Sequence, residues 1–261
     1  MMKIHFLGTC SGTEPMAVAH HCSLIMEIGN SIYWFDAGES CAYTAYTSGI
    51  EVLKTRALFI SHPHLDHTGG LANLFACFRK LNDRYKTPLH FDNTLEVFCS
   101  APHIVEAAKA ICLGPGTNLN FNLLSNGISD GVIYEDENVT VQALHNTHLG
   151  EDGTDGWHAH SFLIEAEGKR IVFSGDVGAP SELDPFLEGG CDLLIMETGH
   201  HKVKDVCEYA ISRGARALRF NHHGREILND REAMLRLVAD YAEKSGISMK
   251  ICHDKMIEVI E

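Results

Sequence analysis

The chain has 261 residues, 45% hydrophobic and 21% charged, with a formal net charge of −14. That balance is ordinary for a globular chain and long enough for a sizeable core. It excludes a membrane span, because no stretch approaches the roughly 20 apolar residues needed, and the acidic excess speaks against a long polyanion as a bound partner.

Taken in chain order, residues 3–8 read as a strand and 9–13 as a Gly-bearing turn. Residues 22–28 and 31–35 follow as strands, with Gly29-Asn30 between them as a hairpin signal. Residues 40–49 suit a short helix, and 55–60 form an apolar strand. Leu71, Leu74, Phe75, Phe78 and Leu81 fall on one face of a helix over 71–81. The basic stretch that follows, Arg79 to Lys86, reads as the solvated end of that helix. A strand over 95–99 and a helix over 102–111, with Pro at its start, complete the first half. Residues 113–131 are rich in Gly and Asn and read as irregular.

The second half repeats the style. Strands are expected over 139–144, 161–166, 170–173, 192–196, 215–220, 248–252 and 256–260, with helices over 203–212 and 226–244. This distribution predicts an α/β fold, a four-layer αββα sandwich. Residues 1–261 are expected to form one domain of two halves, divided near 113–135. The nine cysteines are scattered, odd in number and without a C-x-x-C pair. The N-terminus carries no signal-peptide pattern. Together these predict free thiols in the cytoplasm and no thiolate zinc site.

The functional signal is the run His62-Pro63-His64-Leu65-Asp66-His67, which packs four metal-capable side chains into six positions. Positions i and i+2 at a strand end share a side, so His62 and His64 can reach one cation. Asp66 and His67, at the turn into a helix, can serve a second. That density points to two divalent ions that lie close together and activate a shared water. More donors are needed, and each should follow a strand. His145 and His148, Asp176 after Gly175, and the pair His222-His223 all do so.

With these motifs in place the chain resembles the metallo-β-lactamase superfamily, and within it the ribonuclease Z-like branch. Phe6-Leu7-Gly8-Thr9-Cys10-Ser11-Gly12, Phe35-Asp36-Ala37-Gly38-Glu39 and Asp192-Leu193-Leu194-Ile195-Met196-Glu197 match segments of that branch. The likeness runs from about residue 3 to residue 225. It implies that His62, His64 and His148 hold one ion, that Asp66, His67 and His222 hold the other, and that Asp176 bridges them. Zn suits this His and carboxylate set, and Mn or Fe fit it as well. The resemblance also implies a phosphodiesterase, acting on a small cyclic or nucleotide phosphodiester or on an RNA 3′ end, and a homodimer. Asp66 is expected to take or orient the proton of the attacking water, with Glu197 and His223 as further catalytic or supporting groups.

Ribonuclease Z works on tRNA precursors through a basic, Gly-rich arm, and no such arm is found here. The chain also departs from the branch at Gly175-Asp176-Val177, where Thr commonly follows Asp, and at Gly224, where Ser is usual. A lactonase or thioesterase on the same scaffold and a non-catalytic metal-binding protein are the alternatives. His20, His21, His158, His160, His200 and His201 are expected in loops, either solvated or beside the substrate.

Overall fold

A computed structural model describes residues 1–150 and 156–261. The chain divides into two units. One comprises Met1–Gly8, Glu14–Ile128 and Asp254–Glu261; the other comprises Thr9–Thr13 and Ser129–His253. Among the described residues each unit is built on one seven-stranded mixed sheet.

The first unit contains β1 (Met2–Gly8), β2 (Ser23–Ile28), β3 (Ser31–Phe35), α1 (Cys41–Thr47), β4 (Thr55–Ile60), α2 (Leu65–Thr68), α3 (Leu71–Tyr85), β5 (Thr94–Cys99), α4 (Pro102–Cys112) and β6 (Asn122–Asn126). The second contains β7 (Gly131–Glu135), β8 (Val139–His145), β9 (His160–Ala166), β10 (Lys169–Phe173), α5 (Asp184–Leu187), β11 (Leu193–Thr198), α6 (Val203–Ser212), β12 (Ala217–His223), α7 (Arg225–Asn229), α8 (Arg231–Ser245) and β13 (Ser248–Ile251). The last strand, β14 (Ile257–Ile260), returns to the first unit beside β1.

The first sheet runs β14-β1-β2-β3-β4-β5-β6 and the second β13-β12-β11-β10-β9-β8-β7. Pairing is antiparallel from β14 to β3 and parallel from β3 to β6. In the second sheet it is parallel from β13 to β10 and antiparallel beyond. Parallel strands gather their C-terminal loops at one edge of a sheet, where α/β proteins place their chemistry.

Both faces of the first sheet are apolar, as a parallel region requires. Trp34, Leu58 and Ile60 pack against Leu74, Phe75 and Phe78 of α3. Phe35, Phe59 and Phe98 point the other way and stack with centroids 5.1 and 5.2 Å apart. Trp34 meets Phe78 edge-on and gives its indole N–H to Thr55 Oγ1 at 2.8 Å, so its one polar atom is satisfied in the core. In the second unit Val206, Cys207 and Ala210 of α6 and Val238 of α8 close over Leu194, Met196, Leu218 and Phe220.

The α/β class, two sheets with helices against them, agrees with expectation. The differences are local. Residues 113–131, expected to be irregular, contain the whole of β6 and the first residue of β7. The single helix expected over 226–244 is two, because Asp230 leaves helical geometry at φ −145° and caps α8, its carboxylate accepting from Ala233 N at 3.0 Å. No helix among the described residues is long and apolar enough to cross a membrane.

Candidate functional site

In the first unit β4 ends at Ile60 and delivers Ser61 and His62. His64 is extended (φ −60°, ψ 152°) as the residue before α2, and α2 carries Asp66 and His67. The organiser is Asp36, fully buried after β3 in the left-handed region (φ 60°). Its carboxylate accepts from Ser61 N at 2.7 Å, Ser61 Oγ at 2.9 Å and His67 Nδ1 at 2.7 Å. With Nδ1–H given to Asp36, His67 Nε2 keeps its lone pair for a cation. Gly38 lets the chain pass against this loop, since a Cβ there would lie 2.5 Å from the Asp66 carbonyl oxygen.

The donor spacing suits an ion. His62 Nε2 and His64 Nδ1 are 3.0 Å apart, and His67 Nε2 and Asp66 Oδ2 are 3.3 Å apart. Two donors on one tetrahedral ion with bonds of ~2.05 Å stand about 3.3 Å apart. Cys22, also buried, brings its thiol within 4.8 Å of donor atoms of Asp36 and His67, so a sulfur lies closer to this loop than the missing C-x-x-C pattern suggested. The thiols of Cys41, Cys191 and Cys207 are pushed by burial up to about 12 and serve as packing groups.

In the second unit Asp176 follows β10 after a left-handed Gly175 (φ 55°). It is 2% exposed. His148 Nε2 lies 3.7 Å from Asp176 Oδ2, and His222 Nδ1 lies 3.3 Å from Asp176 Oδ1 and 3.7 Å from Glu197 Oε2. His222 reaches there through a bulge. Glu197 pairs with Asn221 but Thr198 pairs with His223, which leaves His222 as the extra residue at φ 48°. Such a bulge re-aims one side chain out of a strand's alternation. Gly199 lies against the ring, where a Cβ would stand 2.7 Å from His222 Nδ1.

Of the paired alternatives, His145 is occupied elsewhere. Its Nδ1 meets Asp130 Oδ2 at 2.6 Å and its ring stacks on Trp157. His223 is buried, with Nε2 on the Cys252 carbonyl at 2.8 Å, its backbone N–H donating to the Thr9 carbonyl and its own carbonyl accepting from Ser11 N and Oγ. Burial drives its pKa down to about 3, so the ring is neutral. This geometry makes His223 an anchor of the ligand-bearing strand and gives no support to a catalytic part for it.

Glu197 is 1% exposed. Burial alone would raise its carboxyl, but the hydrogen bond from His200 and the nearby His222 ring outweigh that and hold it down to about 2. His200 Nδ1 lies 2.9 Å from Glu197 Oε1, and the same bond raises the His200 pKa. In the sequence alone His200 reads as a loop histidine. Its signal was the Glu-x-x-His spacing just after an apolar strand. Asp36 stands in the Phe35-Asp36-Ala37-Gly38-Glu39 segment, whose pattern by itself shows no role for the carboxylate. His20 bonds to Asp254 Oδ2 at 2.8 Å through both ring and backbone, and His201 Nε2 meets the Val177 carbonyl at 3.1 Å. His160 is buried, while His21 and His158 are half-buried.

Each unit thus presents imidazoles and carboxylates whose donor atoms stand at coordination spacing, and the two buried carboxylates Asp176 and Glu197 sit in one cluster with His200 and His222. Like charges so close call for a cation between them. The donor set therefore fits divalent metal.

Residues 2–206 match the family described as Anti-Pycsar protein Apyc1. The chain is 24% identical to ribonuclease Z of Nitrosopumilus maritimus over 261 aligned residues, covering 82% of this chain and 84% of that one. The metallo-β-lactamase fold protein YhfI of Bacillus subtilis superposes with a TM-score of 0.73 at 17% identity, covering 98% of each chain. The short form of human tRNase Z gives 0.73 at 16% identity, covering 99% of each. With its metallo-β-lactamase fold and its ribonuclease Z-like sequence, this chain belongs to the Anti-Pycsar protein Apyc1 family.

Proposed function

We propose that the chain is a binuclear metal-dependent hydrolase of phosphodiester bonds, acting on a small cyclic or nucleotide phosphodiester. The observation that carries this reading is the pair of donor groups at strand ends, His62, His64, Asp66 and His67 in one unit and His148, Asp176 and His222 in the other. In this reading His62, His64 and His148 would hold one ion, Asp66, His67 and His222 the second, and Asp176 would serve both. Zn suits these nitrogen and oxygen donors, with Mn or Fe as substitutes.

When bound, two such ions supply an activated water near neutral pH and polarise the phosphoryl oxygen. The chain's own groups do the rest. Asp66, 8% exposed, would orient such a water and accept its proton on the carboxylate. Asp36 holds the His67 ring by its Nδ1, which leaves Nε2 as the atom that would bind an ion. Glu197 stays ionised beside His200 and His222 and keeps the His200 ring oriented by a charge-assisted hydrogen bond.

The net charge of −14 and the lack of a basic arm favour a small phosphodiester over an RNA 3′ end. All nine cysteines are free, which suits the cytoplasm. A homodimer is implied by the family likeness and is read by sedimentation equilibrium. The test of function is hydrolysis of bis-p-nitrophenyl phosphate by metal-loaded protein, set against a lactone and a thioester. Turnover of the phosphodiester supports the reading; turnover of the lactone or thioester alone favours those hydrolases, and turnover of none, with metal bound, a non-catalytic protein.

A further inference from the structure

The loops that carry His148 and Asp176 are tied to each other at two levels, both inside the second unit. At the base the tie is a buried chain of hydrogen bonds. Asn146 Oδ1 accepts from His148 N at 3.0 Å, Asn146 Nδ2 donates to Ser161 Oγ at 3.2 Å, and Ser161 Oγ donates to the Ser174 carbonyl at 2.6 Å. Asn146, Ser161 and Ser174 are all buried.

At the outer level the tie is one carboxylate. Glu182 Oε1 accepts from Thr147 N at 3.1 Å and from Thr147 Oγ1 at 2.5 Å, while Oε2 accepts from Gly178 N at 2.9 Å and Ala179 N at 3.1 Å. Thr147 precedes His148, and Gly178 follows shortly after Asp176. The two loops touch at this point, since a Cβ on Gly178 would lie 2.2 Å from Thr147 Oγ1. Glu182 also sits in the short turn Pro180–Leu183, where a Glu ordinarily reaches back to cap the turn's own first N–H groups. Capping accounts for Oε2. It does not account for Oε1, whose two donors come from Thr147, 35 residues away in the chain. An ionised carboxylate accepts on both oxygens and donates from neither, which suits two loops that both present donors.

We propose that Glu182 is a positioning residue for metal binding: by clamping Thr147 to Gly178 and Ala179 it sets the spacing of His148 Nε2 and Asp176 Oδ2, which stand 3.7 Å apart. This rests on the reading that His148 and Asp176 bind metal. Loops held in advance need no ordering when an ion arrives, so the clamp strengthens binding without touching the ion.

The experiment compares Glu182→Gln with the wild type in the full chain. Gln keeps the length and one acceptor oxygen, enough to cap Gly178 N and Ala179 N, but it turns an amide N–H toward Thr147 N. Affinity for Zn is read by competition with a chromogenic chelator, and the donor arrangement by the visible spectrum of the Co-loaded protein. Zn affinity should fall about tenfold, and the Co spectrum should change. A residue that only capped its own turn would leave both as they are, so either reading at its wild-type value overturns the proposal. If Glu182→Gln does not fold, Thr147→Val and Thr147→Ser take its place. Val lacks the hydroxyl that Oε1 accepts from and should weaken Zn about fivefold, whereas Ser keeps it and should bind as the wild type does. Wild-type affinity in Thr147→Val overturns the proposal. The metal reading is scored apart, by Zn content in His148→Ala from mass spectrometry. Zn lost there but held at wild-type affinity in Glu182→Gln overturns the clamp alone, and Zn undiminished in His148→Ala overturns both.

Discussion

Asp36→Asn isolates the control of a metal ligand from the stability of the fold. The native carboxylate accepts three hydrogen bonds in a fully buried position, two from Ser61 and one from His67 Nδ1. Asn keeps the shape, tolerates the left-handed backbone at φ 60°, and still accepts from Ser61 N. Its amide, however, presents N–H to His67 Nδ1. The ring answers by moving its proton to Nε2, which removes the lone pair an ion would need. Loss of one charge-assisted bond costs about 1–2 kcal/mol of stability. That lowers Tm by ~2–8 °C for a chain of this size. Metal affinity should fall further in proportion, about 10–100-fold. Asp36→Ala, which strands three buried donors, should instead cost about 3–5 kcal/mol. The assay is chelator competition alongside thermal melts, with nitrogen-15 NMR to read the His67 tautomer. Wild-type metal affinity in a folded Asp36→Asn protein would refute the argument.

Further outcomes are expected at other positions. Asp66→Ala and His64→Ala should each abolish phosphodiester turnover and lower metal content, and full activity in either disproves the ligand assignment. Gly199→Ala places a methyl 2.7 Å from His222 Nδ1 and should weaken metal binding with little change in helix content, read by metal count and circular dichroism. Stripping the metal with a chelator should lower Tm, since an ion at 100 times its Kd adds about 2.7 kcal/mol; readdition should restore it. His160 is 2% exposed, and burial lowers its pKa from 6.5 to about 4. The unfolded chain therefore binds the proton first, so its contribution is full above pH 6.5 and is lost as pH falls toward 4. The shift is worth about 3 kcal/mol. Urea melts of wild type and His160→Leu across that window should converge by this amount as the pH drops, and parallel curves would count against it.

The parts of the molecule that were legible are those written in local pattern. Alternating and continuous apolar runs gave the central strands, and the five-residue apolar face of α3 gave that helix. β6 escaped because its two Asn residues have low strand propensity, and β7 because it is short and mostly exposed despite its Val, Ile and Tyr, so pairing with β5 and β8 decides them. Asp230 ends one helix and caps the next within what reads as a single amphipathic stretch. At the site, the His62–His67 run is contiguous and was visible. The positions of Asp36 and His222 depend on left-handed backbone, and that of His222 on a bulge, which no spacing rule exposes. His200 entered through a bond to Glu197, a contact invisible until the turn after β11 is built.

The most direct test of the central claim is the rate of bis-p-nitrophenyl phosphate hydrolysis as metal is titrated into the stripped chain. Activity that rises to a plateau at two ions per chain is the predicted result. A folded chain that saturates with metal and never cleaves the phosphodiester would contradict it.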